Sequence, residues 1–340
     1  MKADRAPTLD DVAKSAGVSA ATVSRCVNNP GRVNQRTRMR VLEAVEALGY
    51  TPHFGGQALA SKRTNTIGAV IPTMENAIFA RGLQAFQEEL SSAGVTLLVA
   101  SSAYDADREF EQIKALVGRG ADGLMLIGSE RPQKTYDYLN SRKVPYIVCW
   151  NHRPDGKHLY IGFDNQKSAY ALAKRVLDAG HRRIAMISGE CTSNDRAFDR
   201  VQGVKAALSD AGIDLRQFTV LEMPYSLENG MHAFERLMSR DPAPTAVICG
   251  NDVLAAGAIG RAREIGLIVP RDVSVVGFDN IDLARVVSPK LTTVHVPHRR
   301  MGQAAARVLL KRRDGYDDAV CIEFDTFFVE RETLAPPFDG

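Results

Sequence analysis

From Thr66 onward the chain alternates short apolar runs with amphipathic stretches, and this alternation restricts the fold more than any other feature. Strands are expected at IGAVIPT (67–73), TLLVASS, GLMLIGS and YIVCW, separated by helices near 79–93, 108–119 and 135–142. A helix ending around 179–183 leads into a second series, which begins at Ile184–Ser188 and continues through VLEMP, AVICGND and VSVVGFDN. Its helices fall near 199–211, 227–240 and 253–265. Strands that are apolar throughout are buried on both faces, as parallel βαβ units with flanking helices require. Two such series predict an α/β fold with two similar doubly wound parallel-sheet lobes and a cleft between them. Doubly wound sheets bind ligands beyond the carboxyl ends of their strands. Those ends carry Asn76, Trp150-Asn151, Asn194-Asp195, Asn251-Asp252 and Asp279-Asn280. Any one of these is an ordinary helix N-cap; five around one cleft predict a binding site.

The first fifty residues follow a different rule. Thr8 and Asp11 have the spacing of a capping box, and Leu9, Val12 and Ala13 share one face of a short helix. Gly17 sits where a left-handed residue would end it. Ser19 then caps a second helix, with Val23 and Val27 turned inward. Ala20, Ala21, Thr22, Ser24 and Arg25 are left on the other side. Small residues let a helix approach base edges, while hydroxyls and a guanidinium serve bases and phosphates. A third helix, 34–48, carries Val41, Leu42, Val45 and Leu48 as its core stripe, with Arg36, Arg38 and Arg40 clustered at its start, near a phosphate backbone. The pattern is a helix-turn-helix whose recognition helix runs from about Ala20 to Val27. The DNA-facing set is Thr8, Ser19, Ala20, Ala21, Thr22, Ser24, Arg25, Asn28 and Arg36. Alanines touch thymine methyls but donate no hydrogen bond, so base readout should fall on Ser19, Thr22, Arg25 and DNA shape.

TLDDVAKSAGVSAATVSRCVNN, VNQRTRMRVLEAVEALGYTP and the segment through Leu59 resemble the lac repressor family of bacterial transcription regulators. The resemblance extends over essentially the whole chain. It implies a helix-turn-helix domain at 1–50, a hinge at 51–64 and a two-lobed, periplasmic-binding-protein-like effector and dimerisation domain at 65–340. The implied N-terminal lobe is about 65–160 plus 292–320, and the C-terminal lobe about 161–291 plus 321–335. It also implies a hinge helix in the minor groove of a palindromic operator, with Leu59 wedged between base pairs. Gly55 and Gly56 depart from the usual hinge, each costing about 1 kcal/mol relative to alanine. Such a hinge is expected to fold only when two copies meet on DNA. Asp279 and Arg200 become the implied effector contacts, able to grip hydroxyls or a carboxylate. Phe79 matches an aromatic or apolar contact of the N-terminal lobe. Trp150 reads either as core or as a flat wall for a sugar ring. Asn151, Phe163, Asn194 and Asn251 complete the candidate effector set. The effector is expected to be a sugar or sugar acid, with no other cofactor. The end of the chain has no helical heptad tail, so a homodimer is expected.

Composition supports this division. Residues 1–63 hold ten Lys or Arg against five Asp or Glu, a surplus of five positive charges; the whole chain stands at +3, which leaves the rest at −2. A basic head on a mildly acidic body fits a nucleic-acid reader with a separate second task. Five scattered cysteines, without a CxxC pair, predict reduced and mostly buried thiols. The polar start and the lack of a long apolar run predict a cytoplasmic protein, on the nucleoid when bound to operator. GxSxG, Walker and HExxH motifs are missing and no GxGxxG follows a strand, so no catalytic or metal site is expected. His295-Val-Pro-His298 reads as structural. The reading is a transcriptional regulator, expected to be a repressor. Its rivals are a solute-binding protein with no DNA role, a sugar-handling enzyme with an accessory DNA module, and a non-specific DNA binder.

Overall fold

The structure, a computed structural model, describes residues 5–28, 30–51, 63–75, 77–153, 158–316 and 321–338. The chain forms two compact units, Met1–Thr66 with Gly120–Asp122, and Ile67–Arg119 with Gly123–Gly340. The hinge residues 52–62, with Gly55, Gly56 and Leu59, lie outside the described residues, as do Asn76 and the side chain of Asn28.

The first unit contains α1 (Leu9–Ala16), α2 (Ala20–Asn28) and α3 (Gln35–Leu48). The capping box forms as spaced: the Thr8 backbone N–H donates to Asp11 Oδ2 at 2.8 Å and the Asp11 N–H to Thr8 Oγ1 at 3.4 Å. Gly17 ends α1 at φ 61°, a conformation in which a Cβ would be strained. Val12, Ala13, Ala16, Val23, Cys26, Val41, Ala44 and Tyr50 form the core. Leu42, expected in that core, is 44% exposed, and Ala44 is buried in its stead. The inward stripe of α3 runs 41–44–45–48, so position 42 turns to solvent.

The second unit holds a six-stranded sheet in the order β11-β5-β4-β3-β1-β2 and a four-stranded sheet in the order β7-β6-β8-β9. The first comprises β1 (Thr66–Ile71), β2 (Thr96–Ser101), β3 (Leu124–Ile127), β4 (Tyr146–Cys149), β5 (Tyr160–Gly162) and β11 (Ile322–Glu323). The second comprises β6 (Ile184–Ser188), β7 (Thr219–Glu222), β8 (Ala246–Cys249) and β9 (Ser274–Val276). All pairings within them are parallel. An antiparallel ribbon of β10 (Thr293–His295) and β12 (Phe327–Val329) stands apart. The lobe changes expected near 160 and 320 fall a few residues later, because β5 and β11 hydrogen-bond into the first sheet.

Residue alternation along each strand feeds two cores. In β6, Ile184 and Met186 join α7 (Asn165–Asp178) and α8 (Asp195–Asp210) in the larger core. Ala185 and Ile187 face α9 (Leu227–Met238) and α10 (Asp252–Glu264) on the opposite side. In the N-terminal lobe, α4 (Ala77–Ser92) packs against α12 (His298–Arg313), a helix not anticipated from sequence. The crossing is tight: a Cβ on Gly302 would lie 2.1 Å from the carbonyl oxygen of Gly82. The remaining helices are α5 (Ala106–Gly118), α6 (Gln133–Ser141) and α11 (Leu283–Val286). No helix among the described residues is long and apolar enough to cross a membrane.

Candidate nucleic-acid interface and effector cleft

Ser19 caps α2 as expected, accepting the Thr22 N–H at 3.2 Å, and its hydroxyl lies 2.9 Å from that of Thr22. Val23 and Cys26 are buried, Val27 half-buried. Ser19, Ala21 and Arg25 are exposed, while Ala20, Thr22 and Ser24 are half-buried on the same helix. Thr8 is half-buried in its capping box and Arg36 is exposed at the start of α3. Arg40 differs from the expectation. Its guanidinium donates to the carbonyls of Ala16 and Gly17, satisfying the end of α1 rather than facing a phosphate. Sequence spacing placed it with Arg36 and Arg38; only the tertiary fold brings the end of α1 within its reach.

In the second unit the strand ends converge around Asp279. This residue is 1% exposed and sits at φ 106°, beside Asn280 at φ 53°. Two successive non-glycine residues at positive φ mark stored strain of the kind found at functional sites. Neither carboxyl oxygen of Asp279 has a hydrogen-bond partner. Arg200 Nη2 stands 3.6 Å away, within ion-pair range but beyond a hydrogen bond. Burial, opposed by the Arg200 charge, pushes the Asp279 carboxyl up to about 7. Asp252, also buried and close to Asp279, is pushed up to about 8. It nevertheless has partners: its carboxyl oxygens contact Thr293 Oγ1 at 2.6 Å and the Ile281 N–H at 2.7 Å.

Arg200 is largely committed to the protein. Its Nε donates to Asn165 Oδ1 at 2.9 Å and its Nη1 to the Gly250 carbonyl at 2.6 Å. Its guanidinium lies 3.9 Å from the centre of the Phe278 ring. Phe163 is fully buried and stacks on Phe278 at 6.1 Å. Asn194 and Asn251 both turn out to be N-caps, of α8 and α10, but the amide nitrogen of Asn251 is buried without a partner.

His298, read from sequence as structural, stands at this centre. Trp150 Nε1 donates to its Nδ1 at 3.1 Å. The neutral ring therefore carries its proton on Nε2, which is buried, unpartnered and 3.9 Å from Asp279 Oδ1. Burial and the Arg200 charge hold its pKa near 3, so the ring stays neutral. Trp150 is 1% exposed and takes Phe79 edge-on at 5.7 Å, so the indole is core that positions His298. Its signal in the sequence was faint, because the helix that His298 opens was not recognised there.

Asn151 has another role. Its amide donates to Asp195 Oδ2 at 2.8 Å and its own oxygen accepts the His152 N–H. Asp195, from the C-terminal lobe, also accepts the backbone N–H of Ser129 at 2.6 Å and its hydroxyl at 2.9 Å. Burial alone would raise the Asp195 pKa, but the Arg196 charge and these donors bring it to about 2. Arg153 grips Asp199 with contacts of 2.9 Å to both oxygens. Tyr104 and Tyr225 face each other from the two lobes at 6.3 Å. Together these contacts form a clasp that holds the lobes against each other. No group of three or more His, Cys, Asp or Glu among the described residues is placed to hold a metal ion.

Residues 8–53 match the family model of bacterial regulatory proteins, lacI family, and residues 173–334 the periplasmic binding protein-like domain. The chain is 36% identical to the HTH-type transcriptional repressor PurR of Photorhabdus laumondii, over 96% of each chain. It is 32% identical to catabolite control protein A of Priestia megaterium, over 89% of this chain and 92% of that one. Among solved structures it is similar to the lac repressor dimer bound to operator and the anti-inducer ONPF. The TM-score there is 0.87 at 26% identity, over 97% of this chain and all of the other.

Proposed function

Because the chain belongs to the lacI family of bacterial regulatory proteins, we propose that its cleft takes a neutral, hydroxyl-rich effector of the sugar class. The protein is a DNA-binding transcriptional repressor controlled by a small molecule. One observation carries the choice of effector: among the described residues, the buried polar atoms left open at the strand ends around Asp279 are its two oxygens, His298 Nε2, the amide of Asn251 and the hydroxyl of Ser188. A buried group without a partner costs about 1–3 kcal/mol. A ligand that closes this account brings two donors to the carboxylate and an acceptor to His298, as adjacent hydroxyls do. A sugar acid is disfavoured. Arg200, the guanidinium that would hold its carboxylate, already serves Asn165 and Gly250, and the open acceptor is itself an acid. The helix α2 reads the major groove through Ser19, Thr22 and Arg25, two copies of the chain sit on a two-fold operator, and the hinge with Leu59 enters the minor groove.

The test is a thermal-shift and calorimetric screen of neutral sugars against their matching sugar acids. At about a hundred times Kd a binder adds roughly 2.7 kcal/mol of stability. Neutral sugars should be the hits, and operator affinity should change with the hit. Binding confined to the acids would refute the assignment.

A further inference from the structure

The C-terminal lobe has a second cavity, at the amino ends of β6 and β7, the opposite edge of the sheet from Asp279. It measures about 460 Å³ and is lined by Arg182, Arg183, Arg216 and Arg240, with Asp241 the sole acidic residue in its wall. Asp214 pairs with Arg216 from outside it, which leaves a surplus of two positive charges. Two of the guanidiniums are fixed by backbone carbonyls. Arg182 Nη1 donates to Leu177 and His181, and Arg183 Nε to Ala243, which leaves their other nitrogens available. Arg240 makes no side-chain hydrogen bond or ion pair among the described residues. The floor is apolar, made by Ile184, Ile213 and the buried ring of Phe218.

We propose that this groove binds a nucleoside di- or triphosphate, as a second ligand site independent of the effector cleft. Guanidinium forks match phosphoryl oxygens bidentately, and their surplus charge calls for a ligand with at least two negative charges. The volume lies in the range of small-molecule sites and exceeds what a bare phosphate fills. The apolar floor gives the remaining space to a base rather than to a second polyol. The ligand lies along the strand ends, phosphates towards Arg183 and Arg240 and base over Phe218.

Isothermal titration of the full chain with ATP and, separately, with inorganic pyrophosphate tests this at about 50 mM salt, where surface charges are less screened. ATP should bind and pyrophosphate should compete with it more weakly. The double substitution Arg183→Ala/Arg240→Ala removes two exposed side chains and should weaken ATP by about tenfold or more, as losing charge-assisted hydrogen bonds does. No ATP binding, or binding unchanged by the double substitution, overturns the site. Equal affinity for ATP and pyrophosphate overturns the nucleoside assignment. A loss seen in Arg25→Ala instead would place the nucleotide on the DNA-reading face and would also overturn it.

Discussion

Asp195→Ala is the perturbation whose size follows most directly from the contacts. The carboxylate is 2% exposed and accepts from Ser129 twice, Asn151 once and Arg196 once, the last at 2.9 Å. A pKa near 2 against an ordinary 3.8 corresponds to about 2–3 kcal/mol in favour of the ionised form. Because the folded-state pKa is depressed, that contribution is present above pH 4 and fades as the pH falls through 2. Truncation costs more, since it strands the Arg196 guanidinium, 7% exposed, and the donors of Ser129 and Asn151. Breaking a buried pair in this way costs about 3–5 kcal/mol. Equilibrium urea unfolding at neutral pH should show a loss of that order. Small-angle scattering of the native variant should show the lobes further apart. Asp195→Asn, which keeps an acceptor but loses the charge, should fall between wild type and alanine. A cost below about 1 kcal/mol with unchanged scattering would mean that the clasp does not hold the lobes, and the reasoning would fail.

Arg25→Ala should cost about 1–3 kcal/mol on operator DNA if the side chain reads a base; a uniform loss on all sequences, with a shallower salt slope, would make it a phosphate contact. Leu59→Ala should weaken operator binding while sparing non-specific DNA, and equal losses on both would remove its wedge role. Effector affinity should rise between pH 6 and 8, because hydroxyls donate best to an ionised Asp279 and that carboxyl titrates near 7. Affinity flat across this range, measured by calorimetry, would exclude Asp279 as the acceptor.

Local rules made the head legible: the Thr8–Asp11 box, Gly17 and the inward valines concern residues a few positions apart. The parallel strands were legible for a related reason, since a segment buried on both faces must be apolar throughout. What escaped depends on long-range placement. Nothing near Asn151 says that it will meet Asp195, and nothing near His298 says that Trp150 will fix its tautomer. Arg200 looked like an open guanidinium because its acceptors, Asn165 and the Gly250 carbonyl, lie 35 and 50 residues away. The short strands β5, β10, β11 and β12 were missed because two or three residues carry no period. Leu42 was misjudged by one step of the helical wheel.

The clasp and the cleft pull in opposite directions, and their opposition is what makes the lobes a switch. Closure gains the Asp195 and Asp199 contacts but buries Asp279 without partners. A folded pKa near 7 rather than 3.8 means that, once the pH exceeds 7, the charged carboxylate costs the folded state on the order of 4 kcal/mol relative to the unfolded chain. An open form that returns Asp279 to water recovers that cost. An effector that supplies donors to Asp279 removes the cost and shifts the population, as differential affinity for one state requires. Asp279→Asn separates these terms. Asparagine tolerates positive φ, removes the buried charge and lessens the pressure on Asp252. It leaves an amide to be satisfied, at about 1–3 kcal/mol, so the net gain at pH 8 should be about 2 kcal/mol. Wild-type stability should fall as the pH rises from about 4 to 7, since the native state holds the Asp279 proton longer than the unfolded chain. The variant should lose the Asp279 part of that slope, roughly half, the remainder belonging to buried Asp252, bind effector poorly, and scatter as the closed form without ligand. A variant less stable than wild type at pH 8, with the slope undiminished, would show that the Asp279 charge is not what opposes closure.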